Sequence, residues 1–97
     1  MSAYCFVDVL RVKDPAKMEE YKRQVGPVVK KFGGRYLVAG GKCDVAEGQW
    51  RPTHPVILEF PTLEQAHRWY DSEEYRDLKA LRLAATEGNL IFIDGIK

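Results

Sequence analysis

Apolar residues alternate with other residues at the start of the chain, which predicts a β-strand from Ala3 to Val12. Both faces of this strand carry apolar side chains, a pattern typical of a strand that is covered on both sides. We therefore expect packing against each face. One face carries Cys5, Val7 and Val9, and the other carries Tyr4, Phe6, Asp8 and Leu10.

The next apolar residues recur every three or four positions, which predicts an amphipathic helix. Asp14 is its expected N-cap and Pro15 its first residue. Pro27 lies inside the helix, and we expect a kink there or a break that separates the last turns. Gly33 or Gly34 ends the helix with a positive φ. The apolar stripe consists of Met18, Tyr21, Val25, Val28, Val29 and Phe32.

Two further strands are predicted in the middle of the chain. The first runs from Arg35 to Ala39, where Gly40 and Gly41 interrupt it, and it can resume through Val45. The second runs from Pro55 to Phe60, with its proline at a position that needs no ladder donor.

Two helices and a closing strand complete the pattern. Thr62 caps a helix in a T-x-x-Q box with Gln65, and Ser72 caps the next helix. Gly88 is expected just past the end of that helix, and a last strand runs from Leu90 to Ile96.

The order β-α-β-β-α-α-β predicts an α+β fold, a ferredoxin-like sandwich with a four-stranded antiparallel sheet and helices on one face. The second face would be apolar, through Phe6 and Leu10 and either Leu90, Phe92 and Ile96 or Ile91 and Ile93. A stable monomer rarely exposes such a patch. We therefore expect a homodimer that pairs the two sheets.

Composition narrows the class of protein. The 97 residues suffice for one domain, expected to span residues 1–97. With 15 basic and 14 acidic residues the net charge is +1, and the interspersed charges argue against nucleic-acid binding. The sequence shows no leader pattern and no membrane-length apolar run, so we expect a cytoplasmic protein without a membrane partner. Cys5 is expected in the core, and Cys43 has no pattern that indicates a role.

Three side chains are candidates for acid–base chemistry. Asp8 and Glu59 lie in the middle of strands expected to be adjacent, where burial would raise a carboxyl pKa. A purely structural role for both carboxyls is the alternative. His54 is expected near the mouth of a cavity and could act as a general base, or be an idle loop residue. No metal-ligand spacing is present, and no cofactor is expected.

An aromatic group and one arginine suit a pocket for a flat, partly apolar ligand. Trp69 and the tyrosines suit a hydrophobic core equally well. Arg82 follows Tyr75 by seven residues on one helix face, so it could hold a carboxylate or pair with Glu74 or Asp71. The candidate ligand-binding residues are Tyr36, Trp69, Tyr70, Tyr75 and Arg82.

Four segments together resemble the DUF1330 family, which implies membership of the dimeric α/β-barrel superfamily. They are Gly33–Gly41, Glu47–Trp50, Val56–Pro61 and Trp69–Tyr75. The resemblance spans nearly the whole chain and implies pairing of two sheets face to face. It implies no settled activity, since the superfamily includes cofactor-independent isomerases, monooxygenases and dehalogenases as well as ligand-sensing domains.

The chain departs from many relatives at two positions. Ala39 and His54 stand where relatives often carry arginine, which puts a shared anion site in doubt. Any acid bound beside His54 should bind more tightly at lower pH, where histidine is charged.

Two hypotheses about function follow. The chain is a small-molecule-binding protein that acts as a cofactor-independent enzyme on a small, partly apolar acid or lactone. The alternative is a non-catalytic ligand-binding or stress-related accessory dimer, or a dimerisation module with no ligand.

Overall fold

The computed structural model describes residues 2–96 and contains a four-stranded antiparallel sheet covered on one face by three helices. The strand order β2-β3-β1-β4 is that of a ferredoxin-like sandwich, which confirms the predicted α+β fold. The strands are β1 (Ala3–Val12), β2 (Arg35–Ala39), β3 (Pro55–Phe60) and β4 (Thr86–Asp94). The helices are α1 (Pro15–Lys31), α2 (Leu63–Tyr70) and α3 (Glu73–Ala85).

The strand β1 lies inside the sheet, between β3 and β4. Its residue Ala3 pairs with Phe60 on one side and with Asp94 on the other. Beyond β4, the backbone N–H of Gly95 donates to the carbonyl of Ser2 over 2.9 Å. The pairing of β1 with β4 therefore joins the first and last described parts of the chain.

The helix-facing side of the sheet forms the hydrophobic core. Cys5, Val7 and Val9 are buried on this side, as their alternation predicts. The α1 stripe packs against them, with Val28 and Phe32 partly buried at its edge. The remaining buried core residues are Met18, Tyr21, Val25, Val29, Leu58, Phe60, Ala66, Trp69, Tyr75, Leu78 and Ala85.

The helix ends follow the sequence signals. Gly33 adopts φ +81°, which confirms a left-handed glycine after α1. Each predicted N-cap side chain accepts a hydrogen bond from the backbone N–H three residues later. The pairs are Asp14 with Lys17 at 3.1 Å, Thr62 with Gln65 at 3.0 Å and Ser72 with Tyr75 at 3.1 Å.

Two expectations about α1 and β2 differ from the structure. The expected break at Pro27 does not occur: α1 runs from Pro15 to Lys31, and Val28 and Val29 in its last turns pack on the core. The strand β2 does not resume after Gly40, and residues 41–54 form a loop without strand structure.

The end of α3 also differs from the prediction. The helix ends at Ala85, whose carbonyl accepts hydrogen bonds from the backbone N–H groups of Lys13 and Asp14. Gly88 lies inside β4, where a Cβ would overlap the carbonyl oxygen of Asp8. This glycine permits a close approach between β4 and β1 and does not end the helix.

The other side of the sheet is the open face, which we define by Phe6, Ile57, Ile91 and Ile93. Phe6 pairs directly with Ile57 and Ile91, so these side chains project to the same side. Trp50 from the loop lies edge-on to Phe6, with ring centroids 6.0 Å apart. Leu90 and Phe92 instead pack towards the helices, which resolves the two predicted alternatives for β4. None of the helices described is both long and apolar enough to span a membrane.

Candidate functional site

A cavity of about 380 Å³ lies between the helices and the sheet. Its walls are mostly apolar side chains of β1, β3, β4 and α1. Its polar lining comes from six residues, among which there is no aspartate or glutamate. They are Tyr21, Lys22, Tyr36, His54, Trp69 and Arg82.

The cavity opens between α1 and the edge strand β2. Lys22 and Gly26, one helical turn apart, line it from α1. Tyr36 and Ala39 line it from β2, and both are exposed to solvent. His54 completes this mouth from the end of the loop and is half-buried.

Arg82 is the buried cation of the cavity, with only 9% of its surface exposed. Its Nε donates to the hydroxyl of Tyr75 over 3.2 Å, and the hydroxyls of Tyr75 and Tyr21 lie 2.8 Å apart. Within residues 2–96, no carboxylate lies within ion-pairing distance of Arg82. Glu74, an expected partner, instead pairs with Lys31.

Burial and charge have opposite effects on the pKa values of these side chains. Burial raises the pKa of Tyr21 and of Tyr75 above the ordinary phenol value. Burial alone would lower the pKa of Arg82, but interactions with the tyrosine oxygens outweigh it, so its pKa is raised. The guanidinium therefore stays charged and the phenols stay neutral at physiological pH.

Trp69 supplies a second buried donor. It is 1% exposed, lines the cavity and packs on Phe60 and Tyr75, with ring centroids 5.4 and 4.3 Å away. Its indole Nε1 has no hydrogen-bond acceptor in the described part of the chain. An unpaired buried N–H is unfavourable and is satisfied when an acceptor is brought to it.

His54 owes its position to Gly40. Gly40 has φ +76°, and a Cβ there would overlap the imidazole ring. The Gly40 N–H donates to the carbonyl of Pro55 over 2.7 Å, and the His54 carbonyl accepts from the N–H of Val9 over 3.2 Å. The glycine thus leaves the room that the ring occupies at the cavity mouth.

The structure brings together four of the eight residues named from sequence. Tyr36, His54, Trp69 and Arg82 all line the cavity. Tyr75 is not among the lining residues, but its hydroxyl accepts a hydrogen bond from Arg82 Nε.

Tyr70 lies outside the lining of the cavity. Its ring is edge-on to Phe92 at 5.7 Å, and the ammonium of Lys79 lies 4.3 Å from its centroid. Packing and a cation–π contact therefore account for its position.

Neither of the two candidate carboxylates is among the residues that line the cavity. Glu59 pairs with Tyr4 of β1, whereas Asp8 pairs with Pro55, so they sit at opposite ends of the paired strands. Both project to the open face because the alternate residues Val7 and Leu58 line the cavity. The candidate Glu59 therefore lies on the opposite side of the sheet from the cavity.

Each carboxylate has a local partner. Asp8, 3% exposed, accepts a hydrogen bond from the backbone N–H of Thr53 over 3.1 Å. Glu59 accepts from Arg35 Nε over 2.7 Å. Hydrogen bonds from Ser2, Arg35 and Tyr4 hold the pKa of Glu59 below its usual value, opposite to the expected rise.

Sequence reasoning missed Tyr21, Lys22 and Gly26 as lining residues. Tyr21 is recognisable only as part of the α1 stripe. A tyrosine hydroxyl in an otherwise apolar stripe, and a glycine within a helix, are the signals that could have identified them. Within the described residues, no group of three or more metal-ligating side chains lies close together.

The fold and the cavity define a class: small ferredoxin-like proteins with a ligand-sized pocket beneath the helices. The family model described as "Domain of unknown function (DUF1330)" matches residues 2–96, so the chain belongs to the DUF1330 family. No match was found among curated proteins.

Three solved structures illustrate the fold. A protein of unknown function from Rhodopseudomonas palustris is 22% identical, with TM-score 0.76 over 99% of this chain and 83% of that one. A dimeric ferredoxin-like protein of unknown function from Jannaschia sp. CCS1 is 11% identical, with TM-score 0.61 over the whole of both chains. SnoaB, a cofactor-independent oxygenase from Streptomyces nogalater, is 8% identical, with TM-score 0.59 over 99% and 92%.

Proposed function

We propose that the chain binds a small, partly apolar organic acid, whose carboxylate accepts hydrogen bonds from the guanidinium of Arg82. The observation that carries this proposal is a buried guanidinium that lines a cavity and has no acidic partner among residues 2–96. A buried charge without a counter-charge is costly. An anion in the cavity would supply the missing charge.

The geometry of Arg82 favours a carboxylate. A guanidinium presents five N–H donors in a planar fork that matches two carboxylate oxygens. The hydrogen bond to Tyr75 uses Nε alone. The two terminal nitrogens therefore remain for a ligand.

The other polar groups of the cavity support the same class of ligand. Trp69 lines the cavity, and its buried indole N–H has no acceptor in the described part of the chain. Tyr21 offers a hydroxyl, and Lys22 lies at the mouth. Donors and cations without any lining carboxylate favour an anion over a cation or a metal ion.

The walls define the rest of the ligand. Seven of the fifteen lining residues are valine, leucine or methionine, so the body of the ligand should be apolar. The cavity lies at the small end of the range of roughly 300–1,000 Å³ for ligand sites. We therefore expect an acid of modest size, such as a short fatty acid or an aryl-substituted acid.

A second candidate function is cofactor-independent catalysis on such an acid, with His54 as the proton acceptor. His54 supports it because it lines the mouth, and histidine readily changes protonation near neutral pH. The Streptomyces nogalater oxygenase supports it only through its fold. A His54→Gln variant should keep affinity for a bound acid and lose turnover.

The chain should also form a homodimer through the open face. Phe6, Ile91 and Ile93 are apolar and solvent-accessible there. The Jannaschia protein, which has a similar fold, is dimeric. This similarity of fold supports the proposed dimer.

Binding is tested by calorimetric titration with hexanoate and 4-phenylbutanoate, using 4-phenylbutanamide as the uncharged comparison. We expect the acids to bind and the amide to bind at least tenfold more weakly. Arg82→Met should weaken acid binding by roughly 10- to 100-fold, because hydrogen bonds to charged groups contribute about 1.5–3 kcal/mol.

Arg76→Met is the matched control, because Arg76 lies exposed on the same helix. It should bind both acids like the wild type. Equal binding of acid and amide, or unchanged acid binding by Arg82→Met, would contradict the proposal.

A further inference from the structure

Two hydrogen bonds connect Arg82 to Tyr21 through Tyr75. Arg82 Nε donates to the hydroxyl of Tyr75 over 3.2 Å, and the hydroxyl oxygens of Tyr75 and Tyr21 are 2.8 Å apart. All three residues are buried, and Arg82 and Tyr21 line the cavity whereas Tyr75 does not. The Tyr75 hydroxyl therefore links two residues of the cavity wall.

The direction of these hydrogen bonds follows from the number of protons available. A guanidinium N–H can only donate, so the Tyr75 oxygen accepts from Arg82. Tyr75 is fully buried, and among residues 2–96 its hydroxyl has no hydrogen-bond partner besides Arg82 and Tyr21. Its single proton is therefore paired only when it is donated to the Tyr21 oxygen, and an unpaired buried donor is unfavourable.

This direction leaves the proton of Tyr21 for a ligand. Within the described residues, the Tyr21 hydroxyl has no partner except Tyr75, from which it accepts. The Tyr21 oxygen is only two hydrogen bonds away from Arg82 Nε, so one carboxylate can contact both residues. The charge of Arg82 also polarises the Tyr75 hydroxyl, which makes the Tyr21 O–H a stronger donor.

We infer that Tyr21 is a second ligand-binding residue for the carboxylate and that Tyr75 is a positioning residue for both donors. This inference rests on the proposed function and names the groups that hold the acid. The carboxylate accepts hydrogen bonds from the terminal nitrogens of Arg82 and from the hydroxyl of Tyr21. Tyr75 fixes the guanidinium through Nε, and its own proton occupies the Tyr21 oxygen so that the Tyr21 proton is donated to the ligand.

Tyr21→Phe tests the ligand contact, because it removes one hydroxyl and keeps the ring and the bond between Arg82 and Tyr75. Calorimetric titration should show that it binds 4-phenylbutanoate roughly tenfold more weakly than the wild type, because the lost hydrogen bond is to a charged group. The loss for 4-phenylbutanamide should be no more than about threefold, because its acceptor is neutral.

Tyr70→Phe is the matched control. It also removes one phenol hydroxyl, from a residue that packs on Tyr75 but lies outside the cavity lining. It should bind the acid and the amide like the wild type. Wild-type affinity of Tyr21→Phe for the acid would overturn the role of Tyr21, and so would equal losses for the acid and the amide.

Tyr75→Phe tests the positioning role. It leaves every lining residue in place but removes the acceptor of Arg82 Nε and the donor to Tyr21. We expect the ratio of acid affinity to amide affinity to fall by roughly fivefold or more. A residue that only packs in the core would change both affinities alike, so an unchanged ratio would overturn this role. A Tyr75→Phe protein that does not fold would overturn it too, and Tyr21→Phe then decides the ligand contact alone.

The failure of the proposed function has a different signature. In that case the wild type binds neither hexanoate nor 4-phenylbutanoate, or Arg82→Met binds both as tightly as the wild type, and the inference falls with it. Where Arg82→Met loses both acids and Tyr21→Phe loses neither, the binding site stands and only Tyr21 is wrongly assigned.

Discussion

Burial gives the two cysteine thiols different reactivities. Cys5 is fully buried in β1, and burial raises the pKa of its thiol to about 12, an effect that nearby Arg82 only partly offsets. Cys43 is half-buried in the loop of residues 41–54. Because the thiolate is the nucleophile, Cys5 should be inert in the folded protein.

We predict that 5,5′-dithiobis(2-nitrobenzoic acid) modifies one thiol of the native protein at about pH 8 and both after denaturation. The native reaction should disappear in Cys43→Ser and persist in Cys5→Ala. Rapid modification of native Cys43→Ser would show that Cys5 is accessible.

Some of the candidate residues could be placed in the pocket from the sequence, and others could not. Arg82 and Trp69 could be placed in the pocket because helix spacing fixes which residues share a face. Glu59 could not, because β3 carries apolar residues at Val56, Ile57 and Leu58 in succession. Such a run does not show which face meets the helices, so the sequence alone does not assign Glu59 to either side of the sheet.

The turn between α1 and β2 depends on two glycines with different roles. Gly33 has a positive φ, whereas Gly34 does not. A Cβ on Gly34 would lie 2.5 Å from Phe60 Cε1 and 2.8 Å from Val29 Cγ1. Gly33 thus supplies the conformation of the turn, and Gly34 the close approach of helix and sheet.

We predict that Gly34→Ala lowers the free energy of unfolding by about 1–3 kcal/mol, the usual cost of overpacking a core. Urea denaturation of each variant measures the change. Gly41→Ala is the control, because its φ is not positive and its nearest neighbour is 3.3 Å away. An equal, small change in both variants would contradict the assigned role of Gly34.

At the same scale, the helix starts were predictable and the end of α3 was not. Asp14, Thr62 and Ser72 act through hydrogen bonds to residues three positions away, so local sequence is sufficient. The end of α3 depends instead on Lys13 and Asp14, which are distant in sequence. No local pattern reports such a contact.

For the molecule as a whole, the open face is the feature that supports the proposed homodimer. Ile91 and Ile93 are 49% and 48% exposed, and Trp50 is 67% exposed beside Phe6. Pairing two such faces would bury a standard interface of roughly 1,200–2,000 Å². The apolar pattern of β1 predicted this surface, but sequence alone could not decide which residues of β4 share it.

We predict that the protein sediments at micromolar concentration as a dimer, with about twice the 11.1 kDa mass of the chain. Ile91→Lys should shift it to the monomer, because each subunit would place a buried, unpaired charge in the interface. Leu83→Lys is the control, since Leu83 is a similarly exposed residue on α3. A monomeric wild type, or a dimer indifferent to Ile91→Lys, would exclude the open face as the interface.

The pairing of β1 with β4 has a consequence for synthesis of the protein on the ribosome. Of the four strands, β1 is synthesised first and β4 last. The inner strand β1 can therefore pair with β4 only after the intervening residues have been made. At typical elongation rates this delay is on the order of ten seconds. Throughout it, one edge of β1 remains free to pair with other nascent chains, and cellular chaperones are best placed to protect that edge.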